Sequence, residues 1–252
     1  MGGVRGAGDE RYLTPAEEER QAGWYAGHRR ELYRQLGLRQ AASVLEVGCG
    51  TGVVAAEMAA LGARVVGLDR RPEALAAAAA RDERLGLIAG EATRLPFKTA
   101  AFDAVVTAFT LMWLEDVGAF LKEAGRVLKD GGVFVALAEP DYEATIDYPP
   151  AASSRELVAA AVRRMGGEPA AGRRLPGWLA AAGFELWKFG VLNSAWAPAR
   201  WAAEEEREFE LLRRWLGADA DDKLKRARQA AIERGERLYF LPIFYAAAKK
   251  TR

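Results

Sequence analysis

At 252 residues, half of them hydrophobic, the chain can bury a sizeable core, which excludes a disordered polypeptide and fits one large α/β domain with a small appendage. Lys and Arg number 36 against 35 Asp and Glu, so a net charge of +1 provides no field to draw the chain toward nucleic acid or a membrane surface. A lone cysteine, Cys49, cannot build a disulfide framework or a cysteine-rich zinc site, and no metal is expected. No apolar stretch has the length of a signal peptide or a bilayer span. The expectation is a soluble cytoplasmic protein, not inserted in a membrane, acting on a small or locally recognised substrate.

In chain order, Thr14-Pro15-Ala16-Glu17 carries a capping-box pattern with proline at the first helical position. It predicts one helix running to Gly37, with Trp24, Leu32 and Leu36 sharing a face. From Ser43 the texture changes: SVLEV, ARVVGLD and LGLIAG read as strands, separated by the helical stretches VVAAEMAAL and PEALAAAAARD. Such alternation is the signature of a parallel sheet with crossover helices. FDAVVTAF continues it as a strand, WLEDVGAFLKEAGRVLK as a helix ending at Asp130-Gly131-Gly132, and VFVALAE as the fifth strand. Beyond, SSRELVAAAVRRMG and LPGWLAAAG read as helices and FELWKFGVL as a strand. Two charged helices, each closed by a glycine, fill 196–236, and RLYFLPIFYAAAKK is the final strand.

Glu46, Gly48, Gly50 and Gly52 lie where the first of these strands turns sharply into a helix. Backbone N–H groups and missing side chains there let a ligand approach the main chain at the carboxyl end of the sheet. The same glycines also serve tight turns and close helix–strand packing with no ligand. Asp69 closes the next strand about 20 residues past the loop, where a carboxylate accepts hydrogen bonds from both ribose hydroxyls; alternatively it caps the helix at Pro72. Glu91-Ala92 puts a second carboxylate on the same rim, suited to the exocyclic amine of an adenine or simply a surface acid before the turn at Arg94-Leu95-Pro96-Phe97.

Taken together and in order, VLEVGCGTG, GLDRRPEAL, GEATRLPF, FDAVVTAFTLMWLED and LKEAGRVLKDGGVFV resemble the successive motifs of the class I S-adenosylmethionine-dependent methyltransferases, nearest the small-molecule group that includes the ubiquinone/menaquinone-type enzymes. The resemblance covers residues 43–139, and more loosely AAGFELWKFG and the final strand. It implies a doubly wound, mostly parallel seven-stranded sheet with helices on both faces and an antiparallel last strand, RLYFLPIFYAAAKK. Once the sheet and its crossover helices are assigned, the chain divides into an N-terminal helical cap at 1–42, a Rossmann-like core at 43–195, a helical lid insertion at 196–236 and the final core strand at 237–252. The resemblance also implies that Glu46 and the loop from Gly48 through Gly50 to Gly52 hold the methionine part of S-adenosylmethionine. Asp69 would hold the ribose, Arg70 lie by the adenine, and Glu91 with Ala92 read the adenine edge, although the family more often has Asp at the position of Glu91. Thr107, Ala108 and Phe109 would line the cofactor near its sulfonium, and Cys49 is a small residue of the loop.

The reaction so implied is in-line displacement of the methyl group by a small-molecule acceptor, leaving S-adenosylhomocysteine. Alignment of the reactants can supply much of the acceleration without an obligatory side chain. If the acceptor must lose a proton, Glu139, Asp141 and Tyr142 in AEPDYEATIDYP follow the fifth strand at the functional end of the sheet, unless they only shape a loop. His28, beside Arg29 and Arg30, is a fourth candidate or a surface histidine. Trp196, Trp201, Phe209 and Trp215 would line an acceptor pocket under a helical lid or merely pack a helical pair. A nicotinamide-dependent oxidoreductase is the rival enzyme class, but its fingerprint wants Gly or Ala one position after Gly52, where Val53 stands. A cofactor-binding regulatory protein without turnover is a third reading. Nucleic acid is not expected as acceptor, because TAFTLMW lacks an Asn/Asp-Pro-Pro-aromatic box and no basic domain is appended. The acceptor's identity and the oligomeric state stay open.

Overall fold

The computed structural model describes residues 13–35, 42–192, 198–217 and 222–250. Its main sheet is built from β1 (Ser43–Val47), β2 (Arg64–Asp69), β3 (Gly86–Ala89), β4 (Phe102–Thr107), β5 (Leu128–Pro140), β7 (Phe184–Leu192) and β9 (Ile243–Lys250), in the order β3-β2-β1-β4-β5-β9-β7. Pairing is parallel from β3 to β5, while β9 runs antiparallel to both β5 and β7. The expected doubly wound, seven-stranded sheet with an antiparallel last strand is therefore present. Strand order reverses between β1 and β4, opening a crevice at their carboxyl ends, the usual place for a ligand in such sheets.

Period-two alternation splits the buried residues of the strands between two cores. Leu45, Val105 and Phe134 face one side and pack on α5 (Val117–Val127) and α7 (Ala171–Ala181) through Phe120, Leu121, Leu175 and Leu179. Their chain neighbours Val44, Ala104 and Val135 face the other side and pack on α2 (Ala26–Gln35) and α3 (Val53–Ala60) through Leu32, Tyr33, Ala55 and Met58. The near-continuous apolar strands are explained by burial on both faces. A third cluster joins α6 (Arg155–Arg164), α8 (Pro198–Leu216) and α9 (Asp222–Glu233) to Met112 and Tyr142.

Two sequence expectations change. The capping box at Thr14 is formed, Glu17 N–H donating to Thr14 Oγ1 at 3.3 Å and Thr14 N–H to Glu17 Oε2 at 2.7 Å. The helix it starts, α1 (Pro15–Trp24), nevertheless breaks at Tyr25 instead of running to Gly37, which together with Leu36 lies outside the described residues. Glycines at 23 and 27 weaken the helix there, and the break buries Tyr25 against Phe109 with ring centroids 6.3 Å apart. The segment RLYFLPIFYAAAKK is not one strand. Pro242 has no N–H for a ladder, and the chain divides around it: β8 (Leu238–Phe240) pairs with β6 (Ile146–Tyr148) in a separate two-stranded sheet, and β9 alone enters the main one.

Candidate active site

The crevice at the strand-order reversal opens into a cavity of about 310 Å³. Its floor begins at the β1–α3 loop, where Gly48, Gly50 and Gly52 all take positive φ, +73°, +50° and +75°. At Gly48 and Gly52 packing adds a second reason, whereas the atom facing Gly50 is the far end of the Glu18 side chain, which can move. A Cβ on Gly48 would lie 2.4 Å from Thr110 Oγ1, one on Gly52 would lie 2.8 Å from Ala78 Cβ, and one on Gly50 would lie 2.7 Å from Glu18 Oε2. Gly48 and Gly50 line the cavity, whereas Gly52 is not on its wall; its missing side chain lets α3 approach α4 (Pro72–Arg81). Cys49 also lines the cavity; it is buried in the loop against Gly67, and burial pushes its thiol pKa up, so the thiol itself is unreactive.

Glu46, near the end of β1, is 2% exposed and lines the cavity, and its Oε2 has no hydrogen-bond partner among the described residues. Burial lifts its pKa well above the usual carboxylate range, with Arg29 pulling the other way. A buried acceptor left without a donor at a cavity wall is a place for a ligand's N–H or ammonium. At the end of β2, Asp69 Oδ2 accepts the Gly50 N–H at 2.9 Å and Oδ1 accepts the Arg71 N–H at 2.9 Å. No side-chain cap bond forms at the N-terminus of α4, so Asp69 fastens the glycine loop and is not a simple helix cap. Arg70, Glu91, Ala92, Ala108 and Phe109 also line the cavity. Phe109 holds φ at +52°, a conformation that costs a non-glycine residue energy, and its N–H donates to Ala138 O at 2.7 Å.

Other expected residues fall elsewhere. Thr107 is fully buried in register with Ala136 and does not reach the wall; the next residues to do so are Ala108, Phe109 and Thr110. Among the candidate bases, Glu139 is fully buried and off the wall, accepting N–H groups of Thr110 and Leu111 at 3.0 Å and of Met112 at 3.3 Å. It holds the turn that bears Thr110, Met112 and Trp113 into the cavity. Asp141 is likewise buried and committed, to Arg173 Nε and Nη2 and to the Ala144 N–H. His28 is exposed on α2 and away from the cavity. Its neighbour Arg29 is the residue turned inward. Of the four candidates only Tyr142 lines the cavity, packed edge-on against Trp215 with ring centroids 6.3 Å apart.

Trp215, Leu211 and Leu212 of α8 and Glu17, Glu18 and Trp24 of α1 close the cavity from outside the sheet. Phe209 packs instead among α6, α8 and α9, Trp196 lies outside the described residues, and the side chain of Trp201 is not described. Sequence reasoning missed Glu18, Arg71, Thr110 and Met112, as well as Tyr239 to Leu241 of the β8 segment. Only Arg71, adjoining Arg70 after Asp69, carried any local signal.

With this geometry in hand, comparison with known proteins assigns the core. Residues 45–136 match the family described as methyltransferase domain. That stretch is similar to a methyltransferase domain. Around this domain the chain is 42% identical over 107 residues to demethylmenaquinone methyltransferase of Mycolicibacterium gilvum and 38% identical over 109 residues to that of Tropheryma whipplei. Each match covers 42% of this chain and 46% of the relative, so less than half the length of these relatives is matched. The fold extends further. A geranyl diphosphate C-methyltransferase from Streptomyces coelicolor aligns over 93% of this chain and 81% of its own, with TM-score 0.55 and 17% identity. The [4+2]-cyclase SpnF aligns over 88% and 78%, with TM-score 0.60 and 20% identity. Beyond the methyltransferase domain, therefore, fold is shared with proteins of different chemistry, and the site must carry the functional reading. Among the described residues no cluster of three or more His, Cys, Asp or Glu could hold a metal, and no helix is long and apolar enough to cross a membrane.

Proposed function

We propose that this chain transfers a methyl group from S-adenosylmethionine to a small-molecule acceptor, releasing S-adenosylhomocysteine. The observation that carries the reading is Glu46: a buried carboxylate oxygen without a donor among the described residues, on a cavity wall beside a glycine loop whose missing side chains admit close approach. A cofactor with an ammonium group at one end and ribose hydroxyls in the middle suits Glu46 and Asp69 in that order along the wall. Gly48 and Gly50 would take the methionine part, and Glu91, Ala92 and Arg70 the adenine. When bound, the cofactor supplies an electrophilic methyl on a positively charged sulfur.

The chain's own contribution is positioning and the exclusion of water. Ala108, Phe109 and Thr110 bound the cavity next to the loop, and beyond them Met112, Trp113, Leu114, Trp215, Phe240 and Leu241 form an apolar wall. An acceptor with an apolar or aromatic body fits such a lining. With Glu139 and Asp141 committed to other partners, holding the reactants in line is the main source of rate. Tyr142 is the one earlier candidate at the wall able to exchange a proton with an acceptor. The segments 13–25 and 198–217 serve as cover, excluding water from the sulfur.

Calorimetry tests the reading. S-adenosylhomocysteine is expected to bind and a nicotinamide dinucleotide is not; the reverse result overturns the proposal. Conversion of S-adenosylmethionine only in the presence of an apolar acceptor separates an enzyme from a cofactor-binding regulator.

A further inference from the structure

We infer that Glu18 of α1 occupies the seat of the cofactor's carboxylate, so that the N-terminal helix and the amino-acid end of the cofactor exclude each other. The inference rests on the methyltransferase reading and concerns how that same site is kept closed. Glu18 Oε2 accepts the Thr51 N–H at 2.9 Å, and Oε1 accepts from Arg71 Nη2 at 2.9 Å. Both partners of this ion pair are largely buried, their side chains 18% and 15% exposed. The carboxylate also lies directly over Gly50, where a Cβ would meet its Oε2 at 2.7 Å and its Oε1 at 3.3 Å. Gly50 is thus open toward the cavity, and the space it leaves is filled by the protein's own carboxylate.

A backbone N–H of a glycine loop and a guanidinium in one place make a carboxylate site. S-adenosylmethionine and S-adenosylhomocysteine both bring a carboxylate, attached to the carbon that bears the ammonium assigned to Glu46. The single Thr51 N–H serves one carboxylate, and a further carboxylate brought against Arg71, which already faces both Glu18 and Asp69, would meet like charge. Ligand binding therefore requires Glu18 to leave, and Arg71, still bonded to Asp69 through its backbone N–H, stays to receive the replacement. Departure of Glu18 also loosens α1, which is otherwise pinned by Glu17 to Arg214 of α8 at 3.0 Å and by Glu19 to Arg81 at 3.3 Å. Cofactor binding and cover opening are thereby linked through one side chain.

The test is calorimetric titration of wild type, Glu18→Ala and Glu18→Gln with S-adenosylhomocysteine and with 5′-methylthioadenosine, which lacks the carboxylate and ammonium. Removing the internal competitor is expected to tighten S-adenosylhomocysteine roughly tenfold in Glu18→Ala, the scale of one charge-assisted hydrogen bond. Glu18→Gln, which keeps an acceptor for Thr51 but no charge for Arg71, should gain less. Affinity for 5′-methylthioadenosine should change little, and thermal melts of both variants check that the fold is kept. Weaker or unchanged binding of S-adenosylhomocysteine in Glu18→Ala overturns the inference and leaves the methyltransferase reading standing. An equal gain for both ligands overturns the carboxylate assignment. If neither wild type nor variants bind either ligand, the methyltransferase reading itself fails and the inference falls with it.

Discussion

Arg29 grips both oxygens of Glu57, its Nε donating to Oε2 at 3.0 Å and its Nη2 to Oε1 at 2.8 Å, while Tyr33 donates to the same Oε2 at 3.2 Å. The guanidinium is 1% exposed and Glu57 is on α3, so this pair fixes the N-terminal helices to the core directly behind the glycine loop. Arg29→Met should leave Glu57 poorly paired and cost about 2 to 3 kcal/mol, read from the urea midpoint. The double variant Arg29→Met/Glu57→Gln should lose less than the sum of the two single losses. Strict additivity would show the two residues act independently.

Asp69 is bonded within the loop before any ligand arrives, so its loss should act on binding and on local order together. Asp69→Ala is expected to weaken S-adenosylhomocysteine by at least about tenfold, with faster hydrogen exchange at Gly50 and Arg71. Unchanged affinity in calorimetry would reduce Asp69 to a loop fastener.

Gly48 and Gly131 share nearly the same φ, +73° and +74°, but only Gly48 faces a close neighbour. Gly131→Ala should therefore cost about 1 kcal/mol of backbone strain alone. Gly48→Ala should cost roughly 2 to 3 kcal/mol, because Thr110 stands 2.4 Å from the new Cβ and its N–H is held by Glu139. Equal melting temperatures for the two variants would contradict the packing argument.

Burial pushes the Glu139 pKa up from about 4.5 to about 7, outweighing its three backbone donors. The folded state then binds more protons than the unfolded state between those values, so this group's contribution to stability is full below about pH 4.5 and is lost as pH rises through about 7. At about 1.4 kcal/mol per pH unit over about 2.5 units, the loss is at most about 3.5 kcal/mol. Glu139→Gln should flatten that portion of the curve, measured as the difference in unfolding free energy between pH 5 and pH 8. An identical slope in wild type and variant would place the titration on another residue.

The glycine loop was legible because its constraint is local: a strand ending in a carboxylate must turn within a few residues, and backbone geometry there admits only glycine. Asp69 was legible for the same reason, lying at the next strand end on the same rim. Sequence position placed Glu139 and Asp141 at the correct edge of the sheet without revealing their partners. Those partners, the N–H groups of 110–112 and Arg173, come from segments 27 to 32 residues away.

By itself the sequence determined the parallel sheet with crossover helices, the glycine loop and the carboxylate at the next strand end, since apolar periodicity and turn chemistry act over a few neighbouring residues. Only the tertiary structure decided which side chains close the site. Glu18, Arg29, Tyr142 and Trp215 meet the core across loops and helices of unrelated sequence. Burial and pairing, which decide whether a carboxylate is a ligand, a clamp or a lock, are properties of that assembled neighbourhood.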